Sequence, residues 1–209
     1  MEFTVRMDPG DVAARSLLLQ LAERAEVTAQ TRGGGSAMVL GGARSGKSSW
    51  AEAQFLGREA VDYVATSEPR QDDPEWVERV ALHRDRRPAS WRTVETIDLP
   101  AVLGADEPAP VLIDCLALWL DRVLSACGAW DEAPGWRDDL EEKVAALVEA
   151  VRATRREVIL VSNEVGSGIV PASASGRLYR DELGRLNARV AAAVAELWLC
   201  TAGVARRLK

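Results

Sequence analysis

Residues Gly41, Gly42, Ala43, Arg44, Ser45, Gly46, Lys47 and Ser48 carry the most specific chemistry in the chain. Their spacing is GxxxxGK[ST]. Glycines let the backbone take positive φ and turn its N–H groups inward, while a helix that begins at the lysine aims its partial positive charge at the same anion. Lys47 then reaches the β- and γ-phosphates of a nucleotide, and the Ser48 hydroxyl suits a Mg²⁺ ion that bridges them. By average residue usage, about one random chain of this length in a hundred carries such a string. An apolar run before the loop and a helical pattern after it lower those odds further, so the segment reads as a P-loop for ATP or GTP.

A second candidate depends on the first. The run Val111, Leu112, Ile113, Asp114 is an apolar strand ending in a carboxylate, as when a P-loop enzyme supports Mg²⁺ from the neighbouring strand. Buried strands often end in Asp as a turn or cap, and it is the loop that makes Asp114 a metal-side candidate. Asn163 and Glu164 follow another apolar strand and are expected at the same sheet edge, where a polar pair can position an acceptor hydroxyl or a water. Arg180, Gly184 and Asn187 share a helix face and read as packing.

These residues need a sheet to hold them. Apolar runs at 37–40, 61–66, 111–115, 158–162 and 197–201 alternate with helical patterns at 47–56, 74–82, 116–127, 136–154 and 180–195. Runs this apolar are buried on both faces, as parallel strands between helices are. The expected fold is α/β, a P-loop NTPase-type doubly wound and mostly parallel sheet with helices on both faces. Ahead of it, 11–27 has helical spacing, and a Gly-rich stretch ends at residue 36. The expected division is therefore an N-terminal helix and linker over 1–36 and the nucleotide domain over 37–209.

Composition narrows the partners. Of 209 residues, 47% are hydrophobic and 28% charged, with a formal net charge of −6, the balance of a globular protein with no excess of cations for a nucleic-acid backbone. Cys115, Cys127 and Cys200 form no CxxC pair or even-numbered framework, so a reducing cytoplasm is the expected home. No apolar run is long enough to span a bilayer, and the N-terminus does not read as a signal peptide.

Several further segments fall in a distinctive order: Tyr63-Val64-Ala65-Thr66-Ser67; His83-Arg84-Asp85-Arg86-Arg87-Pro88; Trp91-Arg92-Thr93-Val94-Glu95; Asp114-Cys115-Leu116-Ala117-Leu118-Trp119-Leu120; Val161-Ser162-Asn163-Glu164-Val165-Gly166; and Arg177-Leu178-Tyr179-Arg180-Asp181. With the GGARSGKS form of the loop, the chain from about residue 37 to 209 resembles the bifunctional adenosylcobinamide kinase and adenosylcobinamide-phosphate guanylyltransferase family of cobalamin biosynthesis. The resemblance implies two reactions. The aminopropanol hydroxyl of adenosylcobinamide is phosphorylated, and GMP is then transferred from GTP onto that phosphate to give adenosylcobinamide-GDP, with loss of pyrophosphate. It further implies a guanylylated histidine intermediate, a trimer, and contacts to GTP from Ala65, Thr66, Ser67, His83, Arg84, Asp85, Arg86, Glu95 and Asp114.

His83 is the chain's only histidine, so a phosphoramidate on histidine has one place to form. Arg84, Arg86 and Arg87 beside it favour the neutral imidazole that a nucleophile must be. Several relatives carry two adjacent histidines here and use the first, whereas this chain has Leu82 and then His83. Two other readings stay open from the residues alone: another P-loop small-molecule kinase, and a GTP-binding regulatory module.

Overall fold

The computed structural model describes residues 35–68 and 87–209. The expected helices at 11–27 and 74–82 lie outside these residues, as do His83, Arg84, Asp85 and Arg86.

Seven strands form one sheet: β1 (Ser36–Gly41), β2 (Asp62–Ala65), β3 (Arg92–Glu95), β4 (Val111–Asp114), β5 (Val158–Asn163), β6 (Glu196–Thr201) and β7 (Val204–Arg207). Their order across the sheet is β3-β2-β4-β5-β1-β6-β7. Every pairing is parallel except β6 with β7. Among the described residues the α-helices are α1 (Lys47–Gln54), α2 (Leu99–Gly104), α3 (Leu116–Ala126), α4 (Trp136–Ala153) and α5 (Ala174–Ala193). The first three residues of β4 and the first five of β5 are buried without a break, which requires cover on both sheet faces. Val39, Ile113, Leu160 and Val161 are fully buried at the centre of this core.

Each end of the sheet differs from the expectation. β3 and β7 are four-residue strands whose side chains are mostly exposed and largely polar; they lack the apolar run that marks a central strand, as edge strands do. Helix α5 starts at Ala174 rather than near residue 180. The Ser173 hydroxyl caps it by accepting the Gly176 N–H at 3.1 Å, and a serine N-cap followed by small residues reads in sequence much like a loop. Helix α2 was not expected; Asp98 caps it through the Ala101 N–H, with proline in its first turn.

One buried ion pair fixes the end of the sheet opposite the loop. Asp62 accepts from Arg92 at 2.7 and 2.8 Å and from Arg156 at 2.5 Å. Arg156 also donates to the carbonyls of Val102 and Ala109, so its guanidinium is partnered although almost wholly buried. Burial alone would raise the Asp62 pKa, but the hydrogen bonds and charges of Arg92 and Arg156 outweigh it and hold the group below the usual carboxylate value.

Candidate functional site

The loop from Gly41 to Ser48 leaves the carboxyl end of β1 and turns directly into α1. Gly46 is the N-cap of that helix at φ 94, with no side-chain cap on the first turn, so the open N–H groups face the loop. The positive-φ positions are Gly46 and Arg44, the latter at φ 57. Gly41 and Gly42 serve differently from the expectation, since neither has a positive φ. A Cβ on Gly41 would lie 2.3 Å from Ser45 Oγ and 2.7 Å from the Cys200 carbonyl, whereas one on Gly42 would meet nothing within 4 Å. Gly41 is thus a packing requirement, and Gly42 borders open space beside the cradle. Lys47 is largely buried and donates from Nζ to the Gly42 carbonyl at 3.1 Å. Ala43 and Arg44 are exposed and Ser48 half-buried.

A hairpin braces this loop from behind. In the β6–β7 turn, Ala202 and Gly203 both have positive φ, at 50° and 84°, the pairing a tight two-residue hairpin demands. The Gly203 N–H donates to the Ser45 carbonyl at 2.9 Å, and a Cβ on Gly46 would come within 3.1 Å of Gly203 Cα. Sequence reading passed over this brace, although Thr-Ala-Gly-Val between two strand-like runs is its signal.

Parallel register sets the second row of the site. Glu95 on β3 pairs with Ala65 on β2, and Ala65 with Asp114 on β4, so these three residues share one level at the carboxyl edge of adjacent strands. Four strand spacings separate β3 from the loop strand β1, roughly 19 Å. One expectation is corrected here: β4 is not the immediate neighbour of β1, because β5 lies between them. Asp114 therefore stands two strands from the loop strand rather than one. The charge of Lys47 still acts on Cys115, the next residue.

Other residues in the row are occupied in specific ways. Thr66 is fully buried, and its hydroxyl donates to the Cys115 carbonyl at 2.7 Å and accepts the Cys115 N–H at 3.0 Å. Its side chain thus latches β2 to β4, while the next residue, Ser67, is half-buried. The Asp114–Cys115 peptide bond is cis. Asp114 Oδ2 accepts from the phenol of Tyr63 at 3.0 Å. The Glu164 N–H donates to the Gly41 carbonyl at 3.0 Å, and Glu164 Oε1 accepts from the Gly166 N–H at 2.6 Å; the backbone ties this loop to the cradle and the carboxylate closes the loop on itself. Asn187 accepts from Ser162 Oγ at 2.7 Å and donates to the Asn163 carbonyl at 3.0 Å, so it packs α5 on β5. Arg180 donates to the Gly166 carbonyl at 2.8 Å.

Burial pushes the Cys115 thiol up to about 11, with the Asp114 charge adding to the effect, and burial likewise pushes Cys200 up to about 11. Both stay protonated near neutrality and are poor nucleophiles. Among the described residues no cluster of three or more His, Cys, Asp or Glu side chains is placed to hold a metal ion, and no helix is long and apolar enough to cross a membrane.

A mostly parallel sheet whose first strand runs through GxxxxGKS into a helix, with Glu95 and Asp114 ending other strands along the same carboxyl edge, defines a P-loop nucleotide-binding α/β protein. A solved prototypical ATPase from the type III secretion system of pathogenic bacteria shares the fold, with a TM-score of 0.52 and 13% identity; the match covers 85% of this chain and 54%, about half, of that one. The family model described as cobinamide kinase / cobinamide phosphate guanyltransferase matches residues 37–208. The chain belongs to this family, and so is a transferase. It is 37% identical over 180 residues to the bifunctional adenosylcobalamin biosynthesis protein CobU of Salmonella typhimurium, covering 82% of this chain and 98% of that protein. It is 40% identical over 178 residues to the bifunctional adenosylcobalamin biosynthesis protein CobP of Pseudomonas aeruginosa, with 82% and 96% covered.

Proposed function

We propose that this chain phosphorylates adenosylcobinamide with ATP or GTP and then transfers GMP from GTP to the new phosphate, giving adenosylcobinamide-GDP. The observation that carries this reading is the complete cradle of residues 41–48, in its strand-to-helix setting, on a chain whose family model spans all but the first residue of the sheet.

In the first reaction the loop amides and Lys47 hold the triphosphate and offset charge developing on the transferred phosphoryl group, with Arg44 at the exposed rim. Ser48 and Asp114 fit Mg²⁺: a hydroxyl and a carboxylate are the hard oxygen donors that this ion takes. When bound, Mg²⁺ neutralises phosphate charge and aligns the nucleotide.

In the second reaction the imidazole of His83 attacks the α-phosphorus of GTP, and the bond to the β-phosphate oxygen breaks to release pyrophosphate. An oxygen of adenosylcobinamide phosphate then attacks the same phosphorus and the P–N bond breaks, regenerating the imidazole. Ala65, Ser67, Glu95 and the backbone of Thr66, with Arg84, Asp85 and Arg86, bind GTP; a carboxylate such as Glu95 can accept from guanine N1 and N2. Connectivity supports the role of His83. It precedes Arg87 by four residues, a stretch that spans at most about 14 Å, and Arg87 lies over the ring of Tyr63, the partner of Asp114. The enzyme works in the cytoplasm as a trimer, which light scattering of the purified protein checks.

The test is incubation with adenosylcobinamide and GTP, followed by mass analysis. Adenosylcobinamide phosphate should appear first and adenosylcobinamide-GDP second. Nucleotide consumption indifferent to the corrinoid would favour another P-loop kinase, and tight binding without turnover a regulatory module.

A further inference from the structure

The Tyr63 phenol is buried on β2, one strand in from the edge of the sheet, and is bonded to the carboxylate that the proposed function sets against the metal. Tyr63 lies opposite Leu112, while Asp114 lies opposite Ala65, so the phenol crosses diagonally to a residue two places on along the same sheet face. It donates to Asp114 Oδ2 at 3.0 Å. The guanidinium carbon of Arg87 stands 3.6 Å from the centre of the Tyr63 ring, close enough for a cation–π contact. Tyr63 is 5% exposed.

From this geometry we propose that Tyr63 is a positioning residue for the nucleotide-bound cation: its hydroxyl fixes Asp114 through Oδ2 and leaves Oδ1 to face the metal, while Arg87 clamps the ring that carries the hydroxyl. The proposal rests on the reading of Asp114 as the metal-side carboxylate. A carboxylate on a strand end has a χ2 torsion with broad preferences, so one fixed oxygen sets the direction of the other. Arg87 closes the segment that begins at His83, which links the chain bearing the lone imidazole to the carboxylate beside the phosphates. Neither Tyr63 nor Arg87 needs to touch a substrate for this role.

The experiment is a titration of Mn²⁺, followed by electron paramagnetic resonance of the free ion, into full-length protein loaded with a non-hydrolysable GTP analogue. Tyr63→Phe keeps the ring and its stack and removes one hydroxyl. It should weaken Mn²⁺ binding roughly tenfold, as loss of a hydrogen-bond partner of a metal-facing carboxylate does, while metal-free nucleotide affinity stays at the wild-type level. Asp114→Asn should weaken it at least as much, and adding Tyr63→Phe to Asp114→Asn should change nothing further. Wild-type Mn²⁺ affinity in Tyr63→Phe beside a loss in Asp114→Asn overturns the proposal alone, as does the same tenfold loss in the Asp114→Asn background. Wild-type affinity in both single variants overturns the reading of Asp114, and the proposal with it. Should Tyr63→Phe fail to fold, Arg87→Ala replaces it, with a roughly threefold loss of Mn²⁺ affinity expected from the missing stack and no loss contradicting the clamp.

Discussion

Gly46 and Gly203 meet backbone to backbone. A Cβ on Gly46 would come within 3.1 Å of Gly203 Cα, and the Gly203 N–H is bonded to the carbonyl of Ser45, the residue before Gly46. The phosphate loop is therefore seated on the turn of the antiparallel hairpin at the end of the chain, and its shape is not set by local sequence alone.

A graded pair of substitutions tests this seat. Gly46→Ala meets both a left-handed φ and the Gly203 backbone, so nucleotide affinity measured by calorimetry should fall at least tenfold. Gly203→Ala has open space around its Cβ and meets only the φ of 84°, a cost of about 1 kcal/mol. It should lower Tm by about 2–4 °C and weaken nucleotide binding only slightly. Equal effects from the two would mean that the contact between them is immaterial.

Lys47→Ala removes the cation of the cradle while leaving the loop glycines in place. Both transfers should slow at least a hundredfold in kcat, with the circular-dichroism spectrum unchanged. Normal phosphorylation of adenosylcobinamide by this variant would separate the loop from the chemistry.

Asp62 makes acid stability measurable. A carboxylate whose folded pKa is depressed stabilises the fold above its unfolded value, near 3.9, and that contribution disappears as pH falls through the lower folded value. Wild-type Tm should fall as pH drops from about 4 toward 2, and Asp62→Asn should show a flatter dependence there. At pH 7 the same variant should lose about 3–5 kcal/mol in urea titrations, because the Arg156 guanidinium is left buried without its counter-charge.

The buried thiols should resist alkylation. With Cys115 and Cys200 both pushed up to about 11, iodoacetamide at pH 8 should modify Cys127 first, since it is only half-buried, and reach the other two only on denaturation. Mass mapping of the labelled peptides reads this directly; rapid modification of Cys115 in native protein would contradict its burial.

Particular residues explain what could be read in advance. Central strands β1, β4 and β5 were legible because burial on both faces leaves an unbroken apolar run, and the loop because its glycine and lysine offsets are fixed by phosphate geometry. Edge strands β3 and β7 were not, since their mostly exposed positions carry polar residues such as Thr93 and Arg206 in place of an apolar run. Strand order is set by long-range pairing, which is why Asp114 was expected next to the loop strand and stands two strands from it. Thr66 looked like a nucleotide contact from its place at a strand end, yet its hydroxyl is spent on the Cys115 backbone. Tyr63 gave no sign, because a tyrosine in an apolar strand reads as core until the carboxylate two places along the neighbouring strand is known.

The central claim is that one cradle serves two transfers and that the lone imidazole carries the guanylyl group between them. Intact-mass measurement after incubation with GTP and Mg²⁺, without corrinoid, tests it most directly. Wild-type protein should gain the mass of one guanylyl group, labile to acid as a phosphoramidate is, and His83→Ala should gain none while still phosphorylating adenosylcobinamide. A guanylyl adduct that persists in His83→Ala would contradict the account.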